Sequence, residues 1–149
     1  MKIEEEIKQK KFNNEFTKAE ININFSAAWL LTKRAAVLKP FDISIQQFNL
    51  LRILKGQNPK ASPLKLITER MIDKMSNTSR LVEKLRIKGL VEREQCPNNR
   101  RQVDIIITKN GLQLIEKMSK IMDIVTLKEN NLTEDEAATL NTLLDKFRG

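Results

Sequence analysis

Two short stretches carry side chains whose types and spacing fit a chemical task. In SNTSR and the residues after it, Ser76, Asn77, Ser79, Arg80 and Lys84 gather hydroxyls, an amide and two cations. Such a set both donates and accepts hydrogen bonds. That is what base edges in a DNA groove require: Asn suits adenine, Arg suits guanine, and Ser suits several bases. Lys84 and Lys88 lie further along and are expected at phosphates. The second stretch is CPNNRRQ, residues 96–102. Pro97 fixes its own φ, and Asn98 and Asn99 tolerate turns. Arg100 and Arg101 stand together with no apolar neighbour to anchor them. A narrow minor groove concentrates negative potential and attracts inserted arginine.

Other chemistries are excluded by what is missing. The chain has no histidine, so neither Ser–His nor Cys–His catalysis nor a His-bound metal is available. No glycine-rich phosphate loop is present. A single cysteine, Cys96, rules out an internal disulfide and a structural zinc site. It also fits a reducing, cytoplasmic compartment. Neither an enzyme nor a bound cofactor is expected. No apolar run reaches the length of a membrane span, and MKIEEEIKQKK is too charged for a signal peptide.

The charge is unevenly placed. Lys and Arg number 27 against 19 Asp and Glu, a net +8. Residues 44–111 hold 14 basic and 6 acidic side chains, which is the whole excess; the flanks hold 13 of each. Localised positive charge is the footprint of a polyanion partner.

The elements that must position these side chains follow from periodicity. Residues 3 to about 38 carry a helical stripe through Phe16, Ala19, Ile23, Ala27, Leu30 and Leu31, and Pro40 ends it. Ser44 opens a helix that stops at Gly56. Residues 57–63 read as loop, and Pro63 starts a short helix to about Arg70. A helix from about Lys74 to Lys88 places Thr78, Leu81, Val82 and Leu85 on one face, with Gly89 as its cap. Ser76, Asn77, Arg80 and Lys84 lie on the other face. LVERE and VDIIIT read as antiparallel strands around the arginine-bearing loop. Thr108 caps the next helix, in which Gly111 costs something against alanine. Its stripe is Leu114 or Ile115, Met118, Ile121 or Met122, then Val125. Thr133 and Glu136 form a capping box for the last helix.

Three helices followed by a hairpin make a winged helix-turn-helix, which presents one helix to the major groove. The fold class is therefore mainly α (α+β), with long helices outside the DNA-binding unit.

Nearly the whole chain, most densely from Ile45 to Leu114, resembles the MarR family of bacterial transcriptional regulators. Leu85, Lys88, Gly89, Leu90 and Val91 match the end of its recognition helix. Ile107, Thr108 and Gly111 match the helix start after the wing. The resemblance implies that Arg101 is the arginine placed in the minor groove. The family's wing aspartate is Asn99 here. An aspartate would orient the arginine by a charge-assisted hydrogen bond; asparagine carries no charge, so this wing is more positive.

On this resemblance, residues 1–149 form one MarR-like domain. Residues 44–111 are the DNA-binding lobe, and 1–43 and 112–149 are dimerisation helices. The expected partner is double-stranded DNA with a pseudopalindromic operator, bound by a homodimer. Phe12, Phe16, Leu140, Leu144 and Phe147 are the expected interface. Family members often lose DNA affinity on binding a small molecule or on oxidation of a cysteine. A small-molecule effector is expected between the dimerisation helices and the lobe, with Trp29 a candidate wall. Cys96 would act through the wing, although an incidental exposed thiol is the plainer reading. The competing function is a winged-helix module whose basic face binds an acidic protein. The Ser/Asn/Arg face argues against it, since binding a polyacid needs only charge.

Overall fold

A computed structural model describes residues 1–95, 103–129 and 131–149. A one-turn helix, α1 (Ile3–Glu6), precedes the long α2 (Glu15–Leu38). The expected single helix from residue 3 is thus broken. Lys8 takes a left-handed φ of 55°, and extended Asn14 caps α2 by accepting a 2.8 Å hydrogen bond from the Thr17 N–H. The break lets α1 fold back on α2. Ile3 becomes buried, and Glu4 pairs with Lys18 at 2.6 Å. The capping chemistry of Asn14 outweighs the helical periodicity around it.

Pro40 ends α2 as expected, in a 3-10 turn (Lys39–Phe41). Helix α3 (Ile45–Gln57) starts at Ser44, whose Oγ accepts from the Gln47 N–H. The Gln47 side chain accepts in return from the Ser44 N–H at 2.9 Å, a complete capping box. The helix runs one residue past Gly56, within the usual fraying of a terminus.

Ser62–Pro63, expected as loop, forms the short strand β1 before α4 (Leu64–Arg70). Strands β2 (Val91–Gln95) and β3 (Val103–Ile107) pair antiparallel, Val91 opposite Ile107 and Gln95 opposite Val103. Strand β1 adds to the far edge of β3, with Ser62 opposite Ile105. Among the described residues the sheet order is β1-β3-β2.

Helix α5 (Thr78–Ile87) starts later than expected. Asp73 turns the chain first, its Oδ1 accepting from the Met75 N–H at 3.0 Å. Asn77 then caps the helix by accepting from the Arg80 N–H at 3.0 Å. At the other end Gly89 has φ 68°, with Leu90 N–H bonded to Leu85 O and Gly89 N–H to Arg86 O. This is a Schellman closure.

Thr108 precedes α6 (Lys109–Glu129) and accepts from the Gly111 N–H at 3.0 Å. Its hydroxyl donates to the Gly89 carbonyl at 2.8 Å, tying the starts of sheet and helix together. Gly111 is required here rather than tolerated. A Cβ would stand 2.2 Å from Leu90 O and 2.8 Å from Ile107 Cγ1. The inward stripe of α6 is Ile115, Met118 and Met122. With Leu50, Leu51, Leu54, Ile67 and Leu85 these side chains form the core. Helix α7 (Glu134–Arg148) has the expected Thr133–Glu136 capping box but buries none of its residues.

Candidate nucleic-acid interface

Helix α5 divides its surface sharply. Thr78, Val82 and Leu85 are buried against the core, and Leu81 is half-buried. Asn77, Ser79, Arg80 and Lys84 are exposed, and Ser76 is half-buried. Ser76, Asn77, Arg80 and Lys84 line one shallow concavity of about 300 Å³, together with Gln46, Asp73 and Leu81. Ser79 is not among them. It lines a second hollow of about 220 Å³ towards the sheet, with Leu64, Val82, Arg93, Val103 and Ile105. The start of α5 at Thr78 explains the split. Ser76 and Asn77 sit in the turn before the helix, so helical spacing from them does not apply.

The chemistry of the concavity is polar and cationic. Asn77 uses its side-chain oxygen on the cap, leaving its NH₂ as a donor. Ser76 Oγ is buried and makes no hydrogen bond among the described residues. Arg80 and Lys84 form no ion pair among the described residues. Gln46 and Asp73 were missed by sequence reasoning. Gln46 comes from the neighbouring α3, and no local pattern relates it to residues 76–84.

Three cations at or near the end of α5 are held by carboxylates. Glu83 accepts from Arg86 at 2.8 and 3.1 Å and pairs with Arg93 on β2 at 3.0 Å. Its hydrogen bonds from Arg86 hold the Glu83 carboxyl below its ordinary range. Lys88, expected at a phosphate, instead pairs with Asp42 at 2.7 Å. That hydrogen bond likewise lowers the Asp42 carboxyl. Among the described residues, the exposed α5 cations without a carboxylate partner are therefore Arg80 and Lys84.

The expected wing residues Asn99, Arg100 and Arg101 lie outside the described residues, as do Cys96, Pro97 and Asn98. Of the expected interface residues, Phe12 and Leu144 are half-buried, while Phe16 (88%), Leu140 (45%) and Phe147 (58%) are exposed. A cavity of about 680 Å³ opens between the end of α2 and the lobe. Its walls include Ala35, Ala36, Lys39, Ile43, Lys84 and Ile87. Trp29 is not one of them. It lines a smaller hollow with Ile3 and Phe25, and the Lys33 ammonium sits 4.4 Å from its ring centroid.

Residues 43–103 match the model of the MarR family. The chain is 32% identical over 111 residues to the multiple antibiotic resistance protein MarR of Escherichia coli K12, covering 73% of this chain and 76% of that one. This chain belongs to the MarR family. It is 29% identical over 110 residues to the HTH-type transcriptional repressor IacR of Pseudomonas putida, covering 73% of this chain and 65% of the relative. The structure of a cysteine-to-serine mutant of E. coli MarR complexed with operator DNA superposes with a TM-score of 0.79 at 26% identity. That match covers 92% of this chain and 98% of the other. The winged helix-turn-helix is thus the fold of a MarR-family, DNA-binding transcriptional regulator, which is not an enzyme. Among the described residues no helix is long and apolar enough to cross a membrane.

Proposed function

We propose that this regulator is a repressor that binds a pseudopalindromic operator as a homodimer. Residues 44–111 are the DNA-binding lobe of each protomer. Helix α5 and the turn before it enter the major groove, and the loop between β2 and β3 reaches the minor groove through Arg101. Arg100 and Asn99 support that contact. The observation that carries the reading is the concavity at the head of α5. It combines the free NH₂ donor of Asn77 with two cations that form no ion pair among the described residues, Arg80 and Lys84, beside the buried Ser76 hydroxyl and the Asp73 carboxylate. Hydrogen-bonding groups read bases, and cations collect phosphates.

Dimerisation is supported by the uncovered apolar surface of α2 and α7, contributed by residues 1–43 and 112–149. Repression is supported by the likeness to IacR, a named repressor. The cavity beside Lys39 and Lys84 supports a small-molecule effector. A molecule held there touches both the long helix and α5, and so can favour one orientation of the lobe over another.

The test is a gel shift with duplexes selected from a random pool, against scrambled duplexes, at about 150 mM salt. Selective retardation with steep salt dependence is expected. Equal affinity for every duplex would remove the operator reading, and preference for an acidic protein over DNA would replace it.

A further inference from the structure

Lys88 is the C-cap residue of α5, and its ammonium is committed. It lies 2.7 Å from Asp42 Oδ2 and also donates to the Asp42 backbone carbonyl. Asp42 stands 46 residues earlier, where the chain leaves α2 and enters the lobe. It closes the 3-10 turn in the left-handed region, φ 53° and ψ 39°, with its N–H bonded to Lys39 O. Two residues on, Ser44 caps α3. The Schellman closure at Gly89 fixes the backbone on the Lys88 side. One ammonium thus ties the end of the reading helix to the junction between flank and lobe.

We propose that Asp42 and Lys88 are positioning residues for DNA binding. Together they set the angle of α5 against the flanking helices, and hence the separation of the two reading helices in a dimer. The inference rests on the operator-binding reading above. A turn of α5 about residues 39–44 must break both contacts to the ammonium. The angle matters because half-sites lie a fixed helical repeat apart.

The rival role for Lys88 is a plain phosphate contact, and one substitution separates the two. Asp42→Asn keeps the size of the side chain and the tolerance of left-handed backbone. It removes a negative charge from a protein that binds a polyanion, which by electrostatics alone tightens binding. Loss of a positioning pair weakens binding instead. The two roles therefore predict opposite signs.

The experiment measures affinity for one selected operator duplex by fluorescence anisotropy over a range of salt. It compares the wild type, Asp42→Asn, Lys88→Met and the double variant. Each single variant is expected to bind about two- to five-fold more weakly, as befits an ion pair whose Asp42 side chain is 94% exposed. The double variant should bind no more weakly than the weaker single one, because the pair acts as a unit. The log–log salt slope should stay unchanged. Equal or tighter binding by Asp42→Asn overturns the proposal. So does additivity accompanied by a slope reduced by about one for Lys88→Met, the signature of a phosphate contact. If the wild type shows no operator preference, the functional reading itself falls. Should Asp42→Asn melt early, spin labels at Ser79→Cys in a Cys96→Ser background read the α5–α5 distance well below the midpoint. A shifted or broadened distance supports the pair, and an identical one overturns it.

Discussion

In the lobe of residues 44–111, most large apolar side chains are enclosed, Ile72, Met75, Ile87 and Val103 being exposed, and the net charge is positive. Leu50, Leu51, Leu54, Ile67 and Leu85 are fully buried, and all of the net +8 lies in this region. In the flanks the charges cancel and the apolar surface is uncovered: Phe16, Leu31, Leu127, Leu143 and Phe147 are all exposed. Both regions have well-capped helices. The difference lies in what remains for a partner. The lobe has used most of its hydrophobic driving force on its own core and offers mainly charge and hydrogen bonds. The flanks have not, and offer the hydrophobic effect to whatever covers them.

The contrast can be broken or sharpened by experiment. The largest effect is expected inside the lobe. Gly111→Ala forces a methyl into Leu90 O and Ile107, so it should cost about 3 kcal/mol or more of stability. Thermal unfolding should show the midpoint falling by roughly 6–12 °C. An unchanged midpoint would mean that β3 and α6 separate easily.

The flank should respond differently. Leu140→Glu introduces a charge on a helix that buries nothing within its own chain, so the folded protomer should survive. Dimerisation should weaken by about 2 kcal/mol or more, roughly thirty-fold or greater, as read by sedimentation equilibrium. Lost secondary structure with an intact dimer would reverse the contrast.

A smaller effect is expected at the proposed recognition surface. Arg80→Ala should cost about 1–3 kcal/mol of operator affinity and relax the base preference at one position of each half-site. Unfolding midpoint and dimerisation should not move, because Arg80 forms no ion pair among the described residues. A uniform loss across all sequences would make it a phosphate contact.

The smallest effect concerns pH. With no histidine, no side chain with an ordinary pKa near neutrality changes charge between about pH 5.5 and 8. Asp42 and Glu83 have carboxyls lowered by their Lys88 and Arg86 hydrogen bonds. Lowered carboxyls contribute stability that is present above their unfolded values, about 4, and lost as pH falls through the folded ones. Stability should therefore be flat near neutrality and decline only in acid. Glu83→Gln should soften that decline. A transition between about pH 6 and 7 in chemical denaturation would contradict it.

Much of this was legible in the chain because the signals are local. Ser44–Gln47 and Thr133–Glu136 are capping boxes that need only four residues each. Gly89 and Thr108 mark a helix end and a helix start by their own backbone and hydroxyl chemistry. Two failures had the same cause. The breaks at Asn14 and Asn77 are local capping choices hidden inside longer periodic runs. Strand β1 left no pattern at all, being two residues whose only signal is a partner far along the chain. The grouping of the candidate site residues was partly legible. Ser76, Asn77, Arg80 and Lys84 come together, but Ser79 turns away and Gln46 joins from another helix.

The sequence by itself determined the order of the main helices and the two hairpin strands, the basic character of the lobe and the family resemblance, since periodicity, charge and spaced motifs are properties of neighbours in the chain. Only the tertiary structure decided that Lys88 is held by Asp42 rather than left free, that Gly111 is irreplaceable because Leu90 O comes so close, and that α7 stays uncovered. Each of these depends on which distant residues are brought together, and burial and pairing energies are set by that proximity rather than by the residue's own identity.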